Sequence, residues 1–226
     1  MKKQQGFTLV ELLISSTILT MILLVGTYSY SLFADKWNKK LGHVNKVAEQ
    51  VRTLSLLDRL LDGIVPLVIF QKDSKGFYFQ GSAQQLTAIS QNGFINTQGA
   101  VVFQLYLQTS IDGAKKLWYQ EASLNGLLLL STQQTIPFGE PLLLIDKITD
   151  LQFNYFGWQS LDVKSEAAFT NDPTKEKDWF TQYAGFERQL QPEKLSLTIN
   201  VEDMQFSLLS LFSQNSESLL RDFDGG

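Results

Sequence analysis

Three patterns of hydrophobic and polar residues follow one another along the 226-residue chain. The first is uninterrupted: from Leu12 to Ala34 no side chain carries a charge. That run is longer than the roughly 20 apolar residues a helix needs to span a bilayer. The second pattern begins at Trp37. Its apolar residues, Trp37, Leu41, Val44, Val47, Val51, Leu54, Leu57 and Leu61, recur every three or four positions, with Lys39, Lys40, Lys46, Glu49, Arg52 and Arg59 between them. Such spacing predicts an amphipathic helix, and Gly63 and Pro66 supply its stop. One helix is therefore predicted from Phe7 to Asp62, about 84 Å long at 1.5 Å per residue. Its first half suits a membrane or a filament core, and its second half suits packing on a globular domain. Gly26 gives the first half a place to bend or melt locally.

The third pattern, after Pro66, has the period of strands. The expected strands are Val65–Gln71, Gly76–Gly81, Leu86–Gln91, Val101–Thr109, Lys116–Ala122, Gly126–Thr132, Pro141–Ile145, Thr149–Gly157, Lys194–Val201 and Met204–Ser213. Val102, Gln104, Tyr106 and Gln108 alternate with Phe103, Leu105 and Leu107. Asp112-Gly113 and Asn125-Gly126 are tight-turn pairs, so Val101–Thr132 reads as a three-stranded meander. Glu202-Asp203 predicts a further hairpin. Between Gln159 and Pro192 the chain is polar and reads as a long loop. Its Trp179, Phe180, Tyr183 and Phe186 either pin it to the sheet, the simpler reading, or form an edge for a partner. A short helical turn at Glu217–Arg221 precedes a frayed tail. The fold class expected is α+β, a long N-terminal helix packed on an antiparallel β-domain of two sheets.

Composition narrows the function. The chain is 44% hydrophobic and 19% charged, with a formal net charge of −4, and no basic patch with interleaved aromatics supports nucleic-acid binding. Without cysteine, stability must come from the core. The single histidine, His43, falls on the amphipathic helix, where a solvated role outweighs a catalytic one. With no cysteine and no second histidine, no zinc site is expected. Acids cluster at Glu202-Asp203, at Asp172, Glu176 and Asp178, and at Asp222 with Asp224, but none has the spacing of a calcium loop. Glycine-rich phosphate loops are absent. No enzyme activity, small-molecule substrate, cofactor or metal is expected.

The N-terminus carries the strongest signal. A secretory signal peptide has a short apolar core followed by small residues at the cut. Here the apolar run is too long and the small residue, Gly6, precedes it. The removable part is thus the polar leader with Lys2 and Lys3, whose loss takes the net charge from −4 to −6. Glu11 lies about one turn into the apolar segment, a costly place for an ionised carboxylate. Reach toward the head groups would make the acid tolerable but would not account for its setting. Gly6-Phe7-Thr8-Leu9-Val10-Glu11-Leu12-Leu13 resembles the N-terminus of type IV prepilins and of type II secretion pseudopilins. The resemblance implies cleavage after Gly6 by a membrane peptidase, methylation of Phe7 as the new terminus, and Glu11 as an assembly residue. A cut at Gly6 frees an amine in the apolar layer, and the Glu11 carboxylate of a neighbouring subunit is its natural partner, because a buried charge must be paired. The flanking lysines, Lys2 and Lys3 against Lys36, Lys39 and Lys40, do not set the orientation; the resemblance places the N-terminus in the cytoplasm and the globular domain in the periplasm.

Weaker likenesses extend into the strands. Phe77-Tyr78-Phe79-Gln80-Gly81 followed by Leu86-Thr87-Ala88-Ile89-Ser90 is similar to the J-type minor pseudopilin of type II secretion. Leu117-Trp118-Tyr119-Gln120-Glu121, Pro141–Ile145 with Ile148–Tyr155, Trp179 and Gln191-Pro192 fit the same type. Length and the lack of a disulfide set the chain apart from many major pilins and point to a minor subunit. The resemblance implies this organisation: leader 1–6, transmembrane and assembly helix 7–34, amphipathic half 35–63, periplasmic β-domain 64–213 and tail 214–226. Implied partners are the prepilin peptidase, the inner membrane, and other minor and major pseudopilins, the I- and K-types above all. The role implied is initiation and tip formation of a secretion pseudopilus; the alternative is a minor pilin of a type IV or MSHA-like pilus. A membrane-anchored periplasmic enzyme would need a polar catalytic constellation that the sequence lacks.

Overall fold

The computed structural model describes residues 8–72, 74–96, 98–111, 113–170, 175–202, 204–212 and 216–221, with the side chains of all but 35, 38–47, 217 and 221. The chain divides into two compact units, Met1–Val51 and Arg52–Gly226. Helix α1, Leu9–Asp62, runs through the division without a break, Gly26 included. In the first unit its residues 9–33 are exposed on every side. The stretch Leu9–Ala34 has a mean hydropathy of 2.2 over 26 residues, long and apolar enough to cross a membrane.

In the second unit α1 ends against the sheet. Leu57, Leu60 and Leu61 are fully buried and Leu54 partly so, each full burial contributing about 1.5–3 kcal/mol. The predicted stripe does not bury along its whole length: Trp37 and Val51 are more than half exposed, and the side chains of Leu41, Val44 and Val47 lie outside the described ones. The helix stops at Gly63, where a Cβ would lie 2.6 Å from Ser90 Oγ and from Asn92 Nδ2. These two side chains come so close because they donate to the last helical carbonyls. Ser90 Oγ bonds Leu60 O and Asn92 Nδ2 bonds Arg59 O, each at 2.8 Å, satisfying groups that a helix end leaves open.

Two antiparallel sheets of unequal size follow, so the architecture is α+β as the pattern predicts. The small one pairs β1, Val68–Gln71, with β2, Ser74–Phe77. The large one contains β3, Gln80–Gly81; β4, Gln85–Ser90; β5, Val101–Thr109; and β6, Lys115–Ser123. It continues through β7, Leu142–Gly157; β8, Asp178–Phe180; β9, Tyr183–Ala184; β10, Lys194–Val201; and β11, Met204–Leu211. Its order is β11-β10-β7-β6-β5-β4-β3-β9, with β8 returning to pair β7. Only Thr181 and Gln182 separate β8, which pairs with β7, from β9, which pairs with β3, so a short covalent link and not a strand pairing joins these two parts of the sheet. One face, with Phe103, Leu105, Tyr119, Phe153 and Leu197, receives the end of α1. The other carries Ile89, Val102 and Ala122 beneath Ile69, Tyr78 and Leu129.

Several expectations are corrected. Gly126–Thr132 is not a strand: Leu129 is buried, but the backbone at 128 and 130 is bonded by the Gln134 amide, at 3.0 and 2.9 Å. The meander therefore takes β7 as its third strand. Pro141–Ile145 and Thr149–Gly157 are one strand, because Asp146-Lys147 makes a bulge rather than a turn. There Lys147 has φ 56° and the register against β6 shifts, as an extra residue in a strand requires. Gly76–Gly81 is instead divided at Tyr78 and Phe79, where the chain leaves the small sheet for the large one. The long loop contains helix α2, Leu161–Thr170, the strands β8 and β9, and helix α3, Gly185–Arg188. Its aromatics pin it: Trp179 lies 5.3 Å from Phe156, Tyr183 is buried, and Phe186 packs on the second face. Helix α4, Ser216–Arg221, covers the expected helical turn.

Candidate assembly site

The helix opens at Thr8, and its first turn is built by two side chains. Glu11 Oε2 accepts the Thr8 backbone N–H at 3.1 Å and the Thr8 hydroxyl at 3.0 Å. In return the Glu11 N–H donates to Thr8 Oγ1 at 3.4 Å. This is the reciprocal cap of a threonine followed three residues later by a glutamate, with the carboxylate at the positive end of the helix dipole. Both Thr8 donors fall on Oε2, and Oε1 accepts no bond among the described residues. The carboxylate is thus oriented by its own chain through Oε2.

Gly6 and Phe7 lie outside the described residues. Because the Thr8 N–H belongs to the peptide linking Phe7 to Thr8, a cut after Gly6 would leave every group of the cap in place. The sequence reading took Glu11 alone and missed Thr8. The signal was there in the three-residue spacing from threonine to glutamate before an apolar run.

Beyond the cap the helix hides its polarity. The hydroxyls of Ser16, Thr17, Thr20 and Thr27 donate to carbonyls three or four residues back, at 2.8 to 2.9 Å. Each group is satisfied within the segment, the condition for a helix in lipid. Most of what remains outward is aliphatic and aromatic surface, which needs lipid or neighbouring helices to remove it from water.

The β-domain offers little chemistry beside this. Among the described residues no group of three or more histidine, cysteine, aspartate or glutamate side chains could hold a metal. The acids Asp172, Asp203, Asp222 and Asp224 lie outside the described residues, as does the His43 side chain. Arg188 stands over the rings of Phe180 and Tyr183, at 4.1 and 4.3 Å, and donates to the carbonyls of Trp158 and Gln182. Burial pulls its pKa down, with the neighbouring Tyr183 opposing the shift; the guanidinium ties β9 to its surroundings. Glu121, 5% exposed, accepts the backbone N–H groups of Phe94, Ile95 and Asn96 and the Tyr119 hydroxyl. It fixes the segment after β4 that caps α1. Both are structural uses of charge.

A family model described as the prokaryotic N-terminal methylation motif matches residues 1–27. No curated protein and no solved structure matches the chain. Carried on an apolar helix that opens with the Thr8–Glu11 cap, this motif marks the chain as a type IV prepilin-like protein, of a kind processed by prepilin peptidase and assembled with other pilins.

Proposed function

We propose that the chain is a J-type minor pseudopilin that helps initiate and form the tip of a type II secretion pseudopilus, the filament that drives protein export across the outer membrane. In this reading the peptidase cuts after Gly6, Phe7 becomes the methylated terminus, and the globular domain faces the periplasm. The observation that carries it is the capped Glu11 at the head of an apolar, outward-facing helix. Lipid can cover the apolar surface, but a carboxylate there needs a cation. The amine freed on a neighbouring subunit supplies one, and the pair sets the register of the growing stack. The helix-capped β-domain is bulky, which favours a tip over a repeating shaft, and the I- and K-type subunits are the partners proposed.

Mass spectrometry of the assembled protein tests the processing step. The expected terminus is methylated Phe7, and Gly6→Leu should accumulate uncut precursor in the inner membrane. An intact Met1 on assembled protein would defeat the reading. Deletion of the chain should then reduce the number of filaments started more than their length.

A further inference from the structure

Asparagine followed by glycine occurs twice in the chain, at Asn92-Gly93 and at Asn125-Gly126. Such a pair is chemically reactive, because glycine leaves its backbone nitrogen unshielded for attack on the asparagine side-chain carbon. The fold treats the two pairs in opposite ways.

Asn92-Gly93 is held shut. The Asn92 side chain donates through Nδ2 to Arg59 O at 2.8 Å, and its backbone N–H donates to Ser90 Oγ at 3.1 Å. Gly93 is buried, and a Cβ there would lie 2.7 Å from Asn96 O and 2.9 Å from Glu121 Oε2. Turning the Asn92 amide onto the Gly93 nitrogen gives up the bond that closes the end of α1. An aspartate in its place would set an acceptor against the Arg59 carbonyl.

Asn125-Gly126 is open. It forms the turn after β6, closed by the Leu127 N–H donating to Leu124 O at 3.1 Å. Both residues are exposed, Gly126 has φ 83°, and nothing lies within 4 Å of its Cβ position. The Asn125 backbone N–H donates to Ser123 Oγ, but the side-chain amide has no partner among the described residues. No bond to that amide has to break before it reacts.

We propose that Asn125-Gly126 is the position at which the folded chain deamidates, and that the Arg59 contact spares Asn92-Gly93. The Gly126 nitrogen gives up its proton and attacks Asn125 Cγ. The bond from Cγ to the side-chain nitrogen breaks, and that nitrogen takes up a proton and leaves as ammonia. Water then opens the cyclic imide at either carbonyl, giving aspartate or isoaspartate and a new negative charge. The isoaspartate route adds a carbon to the backbone inside the turn, between two leucines, Leu124 and Leu127, that pack on the second face of the sheet. The turn thereby marks aged copies of the protein, whether or not the chain is a filament subunit.

The test incubates the purified full chain in detergent at mildly alkaline pH and follows both pairs by peptide mass spectrometry that separates the aspartate isomers. Asn125 should convert at least about tenfold faster than Asn92, the factor supplied by one hydrogen bond that must first break. In urea the two pairs should convert at similar rates, which assigns the difference to the fold. Asn125→Gln should remove the fast product and leave the slow one unchanged. Equal rates in the folded chain, or faster conversion at Asn92, would overturn the proposal. So would a folded Asn125 that stays intact while the unfolded chain converts, or a difference that persists in urea.

Discussion

At the scale of single residues, Thr8 and Glu11 act as one device. The hydroxyl and N–H of Thr8 hold Oε2, so the direction of the carboxylate is set before any neighbour arrives, and preorganisation lowers the cost of making the contact. Glu11→Ala should leave the chain in the membrane, since the helix is apolar enough without the acid, yet reduce co-purification of other minor subunits. Thr8→Val should give a smaller loss of the same kind, because it removes the hydroxyl and keeps the backbone donor. Thr8→Ser should behave as wild type. Membrane fractionation beside partner recovery reads both effects, and equal partner recovery by all three variants would show that the cap does not serve assembly.

Elements meet through close backbone approaches that only glycine permits. At Gly81, in β3, a Cβ would lie 2.2 Å from Tyr155 Cζ and 2.4 Å from its hydroxyl oxygen. That hydroxyl donates to the carbonyl of Ser82 at 2.9 Å and fastens the β3 corner to β7. Gly81→Ala must displace a buried ring and is expected to cost about 1–3 kcal/mol. The melting temperature of the full chain in detergent should fall by roughly 2–4 °C per kcal/mol. Gly26→Ala, with nothing within 4 Å of its Cβ, is the control and should leave the melt unchanged. Helix α2 shows the reverse case, an element that packing does not explain: none of its residues is buried. Its start is set locally, by Ser160 accepting from the Val163 N–H through its hydroxyl and from the Lys164 N–H through its carbonyl.

At the scale of the β-domain, the largest buried side chains include Tyr119, Tyr155 and Tyr183, whose phenols make stability depend on pH at the alkaline end. Burial raises the pKa of Tyr119, Tyr155 and Tyr183, and the Glu121 carboxylate raises that of Tyr119 further. The fold therefore favours the neutral phenols. Their contribution is complete below the ordinary tyrosine value near ~10 and is lost as pH rises above it, because the unfolded chain gives up protons that the native one keeps. Chemical denaturation should show a stability insensitive to these groups below about pH 10 and falling by about 1.4 kcal/mol per pH unit for each tyrosine above it. A flat profile through that range would mean that these hydroxyls reach solvent.

Much of the molecule was legible in its sequence, and the reason is physical. An apolar run needs no tertiary partner to be recognised, so the membrane helix could be read directly. Strands β5 and β10 were expected with the boundaries observed, Val101–Thr109 and Lys194–Val201, because alternation and flanking turn residues are local signals. What required the fold was every choice between competing hydrogen-bond partners. Leu127 to Leu130 look like a strand, yet the Gln134 side chain, not a neighbouring strand, takes the Leu128 carbonyl and the Leu130 N–H. Asp146-Lys147 has turn composition, but β6 pairs with Ile148 on one side of it and Ile145 on the other and keeps β7 continuous through it. Strands of two and three residues have no period to read, so β8 and β9 arise from nonlocal pairing alone. The sequence by itself determined the anchor, its acid and the alternation of the core; tertiary structure decided which backbone groups meet, because most strand partners lie far apart along the chain.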